Sequence, residues 1–179
     1  LAGLQSGQTI LILGGGISGL LHMLLARATG AGRVIVTDIN EYRLGMAKQL
    51  GADVVLHAGD DIPALLRPIN GGRLADLVIV CTGAPAAFAQ ALNSVDRGGT
   101  ILCFATTDPG ITLPVPINDF WRNEIRLMPS YGNSPKDAVI AIELIRSGRV
   151  AVREMITHRL PLKEAGKGFA LVADSGASM

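Results

Sequence analysis

The 179-residue sequence predicts an α/β protein with a doubly wound, parallel sheet of six strands. Short aliphatic runs alternate with longer segments of helical periodicity, and this alternation is typical of right-handed β-α-β units. The first run, Thr9–Leu13, is almost continuously apolar, as expected for a strand that is buried on both faces. Together, the alternation and the apolar runs favour an open parallel sheet covered by helices.

The first five strands and the helices between them follow at a regular pitch. Gly30 and Gly51 end the first two helices, and Pro85 suits the first position of the fourth. The predicted strands are Thr9–Leu13, Arg33–Thr37, Asp53–Leu56, Asp76–Cys81 and Thr100–Phe104, the last preceded by a turn at 97–99. The predicted helices are Ile17–Thr29, Glu41–Leu50, Asp61–Leu66 and 85–95.

The pattern changes after Phe104. Residues 111–115 are expected to be extended at a sheet edge, because prolines interrupt this segment. Residues 124–128 are the predicted sixth strand. Ser134 and Asp137 then begin a helix whose apolar face includes Ile142 and Ile145. An extended segment at 155–162 and a weak helix containing Gly166 and Gly168 follow. We predict a sheet domain at 1–132, and a C-terminal helix with a return segment at 133–179.

The composition excludes several classes of function. Hydrophobic residues make up 49% of the sequence and charged residues 17%, which argues against a disordered chain. The net charge is +1 and no block of like charge occurs, so we expect no nucleic-acid partner and no membrane partner. No apolar stretch is long enough for a signal peptide or a membrane span, so a cytoplasmic protein is expected. Cys81 and Cys103 end apolar runs and are interpreted as small buried hydrophobes.

A glycine-rich turn joins the first predicted strand to the first helix, with the pattern G-x-G-x-x-G at Gly14, Gly16 and Gly19. The first glycine permits a tight turn, the second lets a pyrophosphate approach the backbone, and the third lets the helix pack closely on the strand. The N–H groups and the positive dipole end of the helix then hold the phosphates. Because the next strand ends in an acid, the motif favours a dinucleotide site over an ordinary glycine-rich turn.

Asp38 is that acid, 24 residues after Gly14. A carboxylate here can accept hydrogen bonds from both adenosine ribose hydroxyls and would repel a 2′-phosphate, so the predicted cofactor is NAD rather than NADP. The alternative role for Asp38 is to cap the following helix. Arg43 either covers the adenine or belongs to a solvated helix face.

Other strand ends are expected to line the same crevice, because ligands of open parallel sheets bind beyond the carboxyl ends of the strands. These are the segments 81–83, 104–106 and 128–130. The histidines suggest no catalytic or metal-binding group. His22 is expected on the first helix, away from the carboxyl edge of the sheet, and His57 in a surface loop.

Six stretches together resemble the cofactor-binding half of medium-chain, zinc-type alcohol dehydrogenases, near the sorbitol, threonine and related polyol dehydrogenases. These stretches are 13–19 (LGGGISG), 36–44 (VTDINEYRL), 47–53 (AKQLGAD), 81–85 (CTGAP), 97–100 (RGGT) and 156–162 (ITHRLPL). The resemblance implies a Rossmann fold. It implies that Gly16 and Ile17 contact the pyrophosphate and that Asp38 and Arg43 contact the adenosine. It also implies that Thr82 and Gly83 flank the adenine side, and that Ala105 and Ser130 lie beside the nicotinamide.

The resemblance also implies an activity. The family oxidises a secondary alcohol or polyol by hydride transfer to NAD. Its zinc ligands and proton-relay residues lie in an N-terminal domain that nothing here matches. Zinc is therefore expected only in that missing domain, and this chain is expected to be a piece of a longer polypeptide that binds NAD without turnover. The family segment that matches 111–115 pairs across a subunit interface, which implies a homodimer or homotetramer.

Three other functions share parts of this pattern. A non-enzymatic dinucleotide-sensing module has the same glycine turn and acid, but no segment here is basic enough to suggest a DNA-binding partner domain. A methyltransferase also uses a glycine-rich turn and an acid, but the family-like tail argues against it. A zinc-free quinone reductase of the same superfamily usually prefers NADPH, which Asp38 disfavours.

Overall fold

The computed structural model describes residues 2–173 and confirms the doubly wound α/β fold. One sheet of six parallel strands has the order β3-β2-β1-β4-β5-β6. The strands are β1 (Thr9–Leu13), β2 (Arg33–Asp38), β3 (Val54–His57), β4 (Ala75–Val80), β5 (Val95–Cys103) and β6 (Arg126–Pro129). The helices are α1 (Ile17–Ala28), α2 (Glu41–Gln49), α3 (Ile62–Ile69), α4 (Pro85–Ser94), α5 (Ile117–Asn123), α6 (Pro135–Arg146) and α7 (Ala165–Ala173).

The central strand β1 divides the core into two layers. All five of its residues are buried, as its apolar sequence predicts. Ile10 and Ile12 pack on the face covered by α1, whereas Leu11 and Leu13 pack on the opposite face with α3 and α4. Alternate side chains of a strand point to opposite faces, so one apolar run supplies both cores. Because β1 pairs in parallel with β2 on one side and with β4 on the other, the carboxyl ends of these three strands lie side by side.

Strand β5 begins earlier than predicted. Val95 already pairs with Ala75, and regular pairing resumes at Thr100 opposite Leu77. The predicted turn at 97–99 is therefore an irregularity inside the strand, where Gly98 has a φ of +69°. The local sequence predicts the positive φ of the glycine, but the pairing with β4 on both sides of the irregularity makes these residues part of β5.

The segment between β5 and β6 also departs from the prediction. The stretch 111–115 pairs with none of the six strands of the described sheet, and β6 lies at one edge. Helix α5, which the sequence pattern does not predict, ends at Glu124 in a left-handed conformation with a φ of +53°. This C-cap shifts β6 by two residues from the predicted start.

The capping box of α6 is confirmed. The Ser134 hydroxyl accepts from the Asp137 N–H, and the Asp137 carboxylate accepts from the Ser134 N–H at 2.8 Å. Ile142 and Ile145 of the predicted apolar face are exposed, whereas Leu144 packs against the α1-side core. Residues 155–162 pair with no strand of the described sheet, and the predicted weak helix is α7.

Candidate dinucleotide-binding site

The glycine turn after β1 brings α1 close to the end of the strand. Gly14 has a φ of +104°, which favours glycine, and its N–H donates to the Thr37 carbonyl of β2 at 2.9 Å. A Cβ on Gly19 would lie 1.8 Å from the Gly14 carbonyl oxygen, so only glycine fits where α1 crosses the turn. A Cβ on Gly16 would meet no atom within 4 Å. The third glycine of the motif thus sets the helix position, and the second faces open space.

The start of α1 offers donors to an anion. Gly16 is the N-cap residue, no side chain caps the first turn, and that turn contains no acidic residue. The positive end of the helix dipole therefore faces the open space beside Gly16. A pyrophosphate is the kind of group that such N–H donors bind. The turn fits the ligand that its sequence predicts.

Asp38 ends β2 directly beside this turn, and its side chain is only 5% exposed. Its Oδ2 accepts from the Gly15 N–H at 2.7 Å, and its Oδ1 accepts from the Asn40 N–H at 2.9 Å. Arg43 Nη1 lies 3.7 Å from Oδ2. Because a carboxylate can accept about four hydrogen bonds, these two backbone bonds fix its orientation and leave capacity for hydroxyl donors.

The alternative role of Asp38 as a helix cap is wrong. Asn40 is the N-cap residue of α2, and its side chain accepts from the N–H groups of Tyr42 and Arg43. The Asp38 carboxylate is therefore directed toward the glycine turn instead of the helix axis. This placement brings a charged acceptor to the point where the turn and β2 meet.

A cavity of about 310 Å³ lies over the carboxyl ends of β1, β2 and β3. We call it the Asp38 cavity. Five predicted site residues line it, namely Gly14, Gly16, Asp38, Arg43 and Thr82. Ala58 and Gln90 also line it but carry no sequence signal, because their approach depends on how α4 packs beside β3. The structure thus joins residues that are up to 77 positions apart, from Leu13 to Gln90, into one site.

A second cavity of about 470 Å³ lies on the other side of the glycine turn. Gly16 and Arg43 border both cavities. Ile17, which is 63% exposed, lines the second cavity together with Met155 and Thr157 of the C-terminal segment. The tip of α1 is therefore accessible from two sides.

The remaining predicted contacts lie elsewhere along the edge of the sheet. Ala105 and Ser130 line a third cavity, of about 370 Å³, beyond β5 and β6. The Ser130 N–H donates to the Cys103 carbonyl at 3.0 Å, which fixes the loop after β6. Gly83 lines none of these three cavities, and a Cβ there would lie 2.7 Å from the Thr106 carbonyl oxygen. Gly83 therefore permits the close approach of two loops.

His22 is closer to the crevice than its position in α1 suggests. Its ring packs edge-on against Phe104 with centroids 4.5 Å apart, and its Nδ1 lies 3.7 Å from Cys81 Sγ. Both partners directly follow strands, so the expectation that His22 lies away from the carboxyl edge is wrong. The second turn of α1 still covers these strand ends.

Burial controls the titration of this cluster. It lowers the pKa of His22, although the hydrogen bond with the Ser18 carbonyl at 2.7 Å acts in the opposite direction. Burial also raises the pKa of the Cys81 thiol to about 12 and raises that of Cys103. Both cysteines are therefore protonated thiols near neutral pH, and each is only partly buried, less than the sequence predicts.

No metal-binding group occurs in the part of the chain that the structure describes. Within residues 2–173, no three side chains of His, Cys, Asp or Glu are grouped to hold an ion. His57 is the exposed last residue of β3, and His158 is exposed beside Thr157. A zinc ion therefore does not fit these residues. Over the same range, no helix has the length and apolarity needed to cross a membrane.

The fold and the turn define a dinucleotide-binding type of α/β domain, and comparison with known proteins identifies the family. Residues 18–147 match the family model described as zinc-binding dehydrogenase, and the chain belongs to this family. Sorbitol dehydrogenase from Pongo abelii is 32% identical over 170 residues, which are 93% of this chain and 47% of that protein. The resemblance predicted from six sequence stretches is thus confirmed.

Two solved structures share the fold. Alcohol dehydrogenase TADH from Thermus sp. ATN1 has a TM-score of 0.90 and 25% identity over 98% of this chain and 51% of its own. A zinc-binding dehydrogenase from Sinorhizobium meliloti, solved bound to NADP, has a TM-score of 0.86 and 30% identity over 93% of this chain and 49% of its own. The chain spans about half the length of the relatives that it matches.

Proposed function

We propose that this chain is the NAD(H)-binding part of a zinc-dependent dehydrogenase that oxidises a secondary alcohol or polyol. The observation that carries the proposal is the hydrogen bond of 2.7 Å between the Gly15 N–H and Asp38 Oδ2. It joins a phosphate-binding turn to a ribose-binding carboxylate at neighbouring strand ends. Membership in the zinc-binding dehydrogenase family supports the same conclusion.

The described residues suit the two ends of an adenosine diphosphate group. The uncapped start of α1 beside Gly16 supplies N–H donors to the pyrophosphate. Asp38, held by its two backbone bonds, accepts from the ribose hydroxyls. Arg43 and Thr82 border the space beyond the ribose. Gly14 and Gly19 act indirectly, because they allow the turn and the helix to adopt this arrangement.

We propose that the site prefers NAD to NADP. A 2′-phosphate would be placed against the Asp38 carboxylate, whose side chain is almost fully buried and therefore poorly screened by solvent. Arg43 lies 3.7 Å from this carboxylate, so the positive charge of Arg43 is already partly neutralised by Asp38. The Sinorhizobium relative was solved bound to NADP, so the coenzyme preference must depend on local residues of this kind and not on the fold.

NAD supplies the hydride acceptor when it is bound, and this chain supplies position. Ala105 and Ser130 are proposed to direct the nicotinamide ring toward the alcohol. Ile17 is proposed to contact the pyrophosphate, and Gly83 to flank the adenine side. Zinc is proposed to be held by residues outside this chain, since those described here do not fit it. Sorbitol dehydrogenase as a relative supports a polyol as the class of substrate.

The proposal extends to domains and subunits. Residues 1–132 are proposed as the NAD-binding domain, and 133–179 as a helix and return segment directed to a catalytic domain. Ile142 and Ile145 of α6 are exposed, as expected of a face that another domain covers. A homodimer or homotetramer through the 111–115 segment is proposed, and Ile117 and Trp121 of the following helix α5 are 70% and 75% exposed beside it.

Isothermal titration calorimetry of the 179-residue chain with NADH and NADPH tests the cofactor proposal. We expect NADH to bind at least about tenfold more tightly, since one close like-charge contact in a poorly screened site costs more than one factor of ten. Tighter binding of NADPH would refute the role of Asp38. Absence of binding by either dinucleotide would refute the proposed function.

A further inference from the structure

We infer that Gln90 selects adenine as the base of the bound dinucleotide by accepting a hydrogen bond from the exocyclic amine of the base. The inference rests on the proposed function and adds a specificity-determining residue to it. Gln90 belongs to α4 and lines the Asp38 cavity. No motif of the sequence singles it out.

The order of the strands indicates which end of the cavity receives the base. The glycine turn follows β1, Asp38 ends β2, and Ala58 follows β3, in three neighbouring strands. Neighbouring strands are about 4.8 Å apart, so these three points are spaced evenly along the edge of the sheet. A pyrophosphate at the first point and a ribose at the second direct the base toward the third, where Ala58 and Gln90 lie.

One hydrogen bond fixes Gln90 at that end, and a second fixes the residue that it bonds to. Its Nε2 donates to the Ala58 carbonyl at 3.2 Å, and the Ala58 N–H donates to the Asp38 carbonyl at 2.9 Å. A carbonyl oxygen only accepts, so the amide nitrogen of Gln90 must face Ala58. The amide oxygen Oε1 is thereby assigned the other direction and is available as an acceptor in the half-buried cavity wall.

Arg43 and Thr82 also border this end of the cavity, but Gln90 Oε1 is the acceptor that a bond to the Ala58 carbonyl holds in place. Ala84, Ala86, Ala87 and Ile39, which also line the cavity, provide small or apolar surfaces that suit the faces of a flat ring. Adenine carries a donor amine at carbon 6, whereas hypoxanthine and guanine carry an acceptor carbonyl there. Rotating the Gln90 amide so that its nitrogen meets that carbonyl would set Oε1 against the Ala58 carbonyl. Either orientation of the amide therefore places two acceptors against each other, which costs binding free energy.

The test compares NADH with reduced nicotinamide hypoxanthine dinucleotide, which differs in the base alone, by calorimetry on the 179-residue chain. We expect the unmodified chain to bind NADH roughly threefold to tenfold more tightly, the value of one net hydrogen bond. Gln90→Met, which keeps the length of the side chain but not its amide, should weaken NADH binding by this factor and bring the two affinities within about twofold.

The control is Asn93→Met on the same helix. The Asn93 amide donates to the Ala89 carbonyl and is not among the residues that line the Asp38 cavity, so its loss should leave the preference for adenine intact. Equal binding of both dinucleotides by the unmodified chain would overturn the inference without any variant. An equal weakening of both by Gln90→Met would also overturn it, because Gln90 would then only support the Ala58 loop. Failure of the unmodified chain to bind NADH would overturn the proposed function itself.

Discussion

Two glycines of one motif are expected to fail in opposite ways when each is replaced by alanine. The methyl group of Gly19→Ala would lie 1.8 Å from the Gly14 carbonyl oxygen. An ordinary C···O contact is about 3.3 Å, so α1 and the turn would have to separate by about 1.5 Å. Overpacking of this size in a close-packed interior costs about 3 kcal/mol. Gly19→Ala should therefore lower the free energy of unfolding by about that amount.

Gly16→Ala should leave stability nearly unchanged and remove binding. Its new methyl group meets no protein atom within 4 Å, and the backbone φ of −70° suits alanine. We expect the free energy of unfolding to stay within about 0.5 kcal/mol of the unmodified chain. The methyl group would occupy the approach to the N–H donors of α1. Losing one or two charge-assisted hydrogen bonds should weaken NADH binding about tenfold to a hundredfold.

Urea unfolding followed by circular dichroism measures the first quantity, and calorimetric titration with NADH measures the second. The two variants serve as controls for each other, since they lie three residues apart in the same turn. NADH affinity that survives Gly16→Ala would show that the pyrophosphate does not approach this turn. A Gly19→Ala variant as stable as the unmodified chain would show that the helix crossing tolerates a side chain.

Three further outcomes are expected. Asp38→Ala should shift the ratio of NADPH to NADH affinity at least about tenfold toward NADPH in calorimetric titrations, because the carboxylate that repels the 2′-phosphate is lost; an unchanged ratio would contradict this. With the pKa of Cys81 raised from 9.0 to about 12, its thiolate fraction near pH 8 is about a thousandfold below that of an ordinary thiol. Alkylation measured by mass spectrometry should therefore be slower in Cys103→Ser, which retains Cys81, than in Cys81→Ser, which retains Cys103. Equal alkylation rates in the two variants would contradict this. Because the native pKa of His22 lies below 6.5, the unfolded state binds a proton at His22 more readily than the folded state does. The free energy of unfolding should therefore fall as pH decreases below about 6.5. His22→Gln should flatten this dependence, whereas the exposed control His57→Gln should keep it.

The local pattern of the sequence was sufficient for the elements nearest the glycine turn. Thr9–Leu13 is apolar because β1 is buried on both faces, and this property shows in any single strand without knowledge of its neighbours. The capping box at Ser134 is likewise a contact between residues three apart. Gly14 and Gly19 were predictable for the same reason, since the motif describes a single turn between a strand and a helix.

Prediction failed where the outcome depended on a distant partner. The 97–99 turn became part of β5 because β4 pairs with Val95. Helix α5 and its left-handed C-cap at Glu124 moved the start of β6. His22 was placed wrongly because its neighbours Cys81 and Phe104 come from other strands. In each case the local preference was compatible with two arrangements, and tertiary pairing decided between them.

The sequence alone therefore determined the alternation of strands and helices, the phosphate-binding turn and the acid at the end of the second strand, since each depends on residues close together in the chain. Tertiary structure alone decided where the Asp38 carboxylate points and that Gln90 meets Ala58 beside it. Those contacts require β3, β2 and β1 to be neighbours in this order. Local periodicity contains no information on the order of strands in a sheet, because any parallel strand presents the same alternating faces to either neighbour.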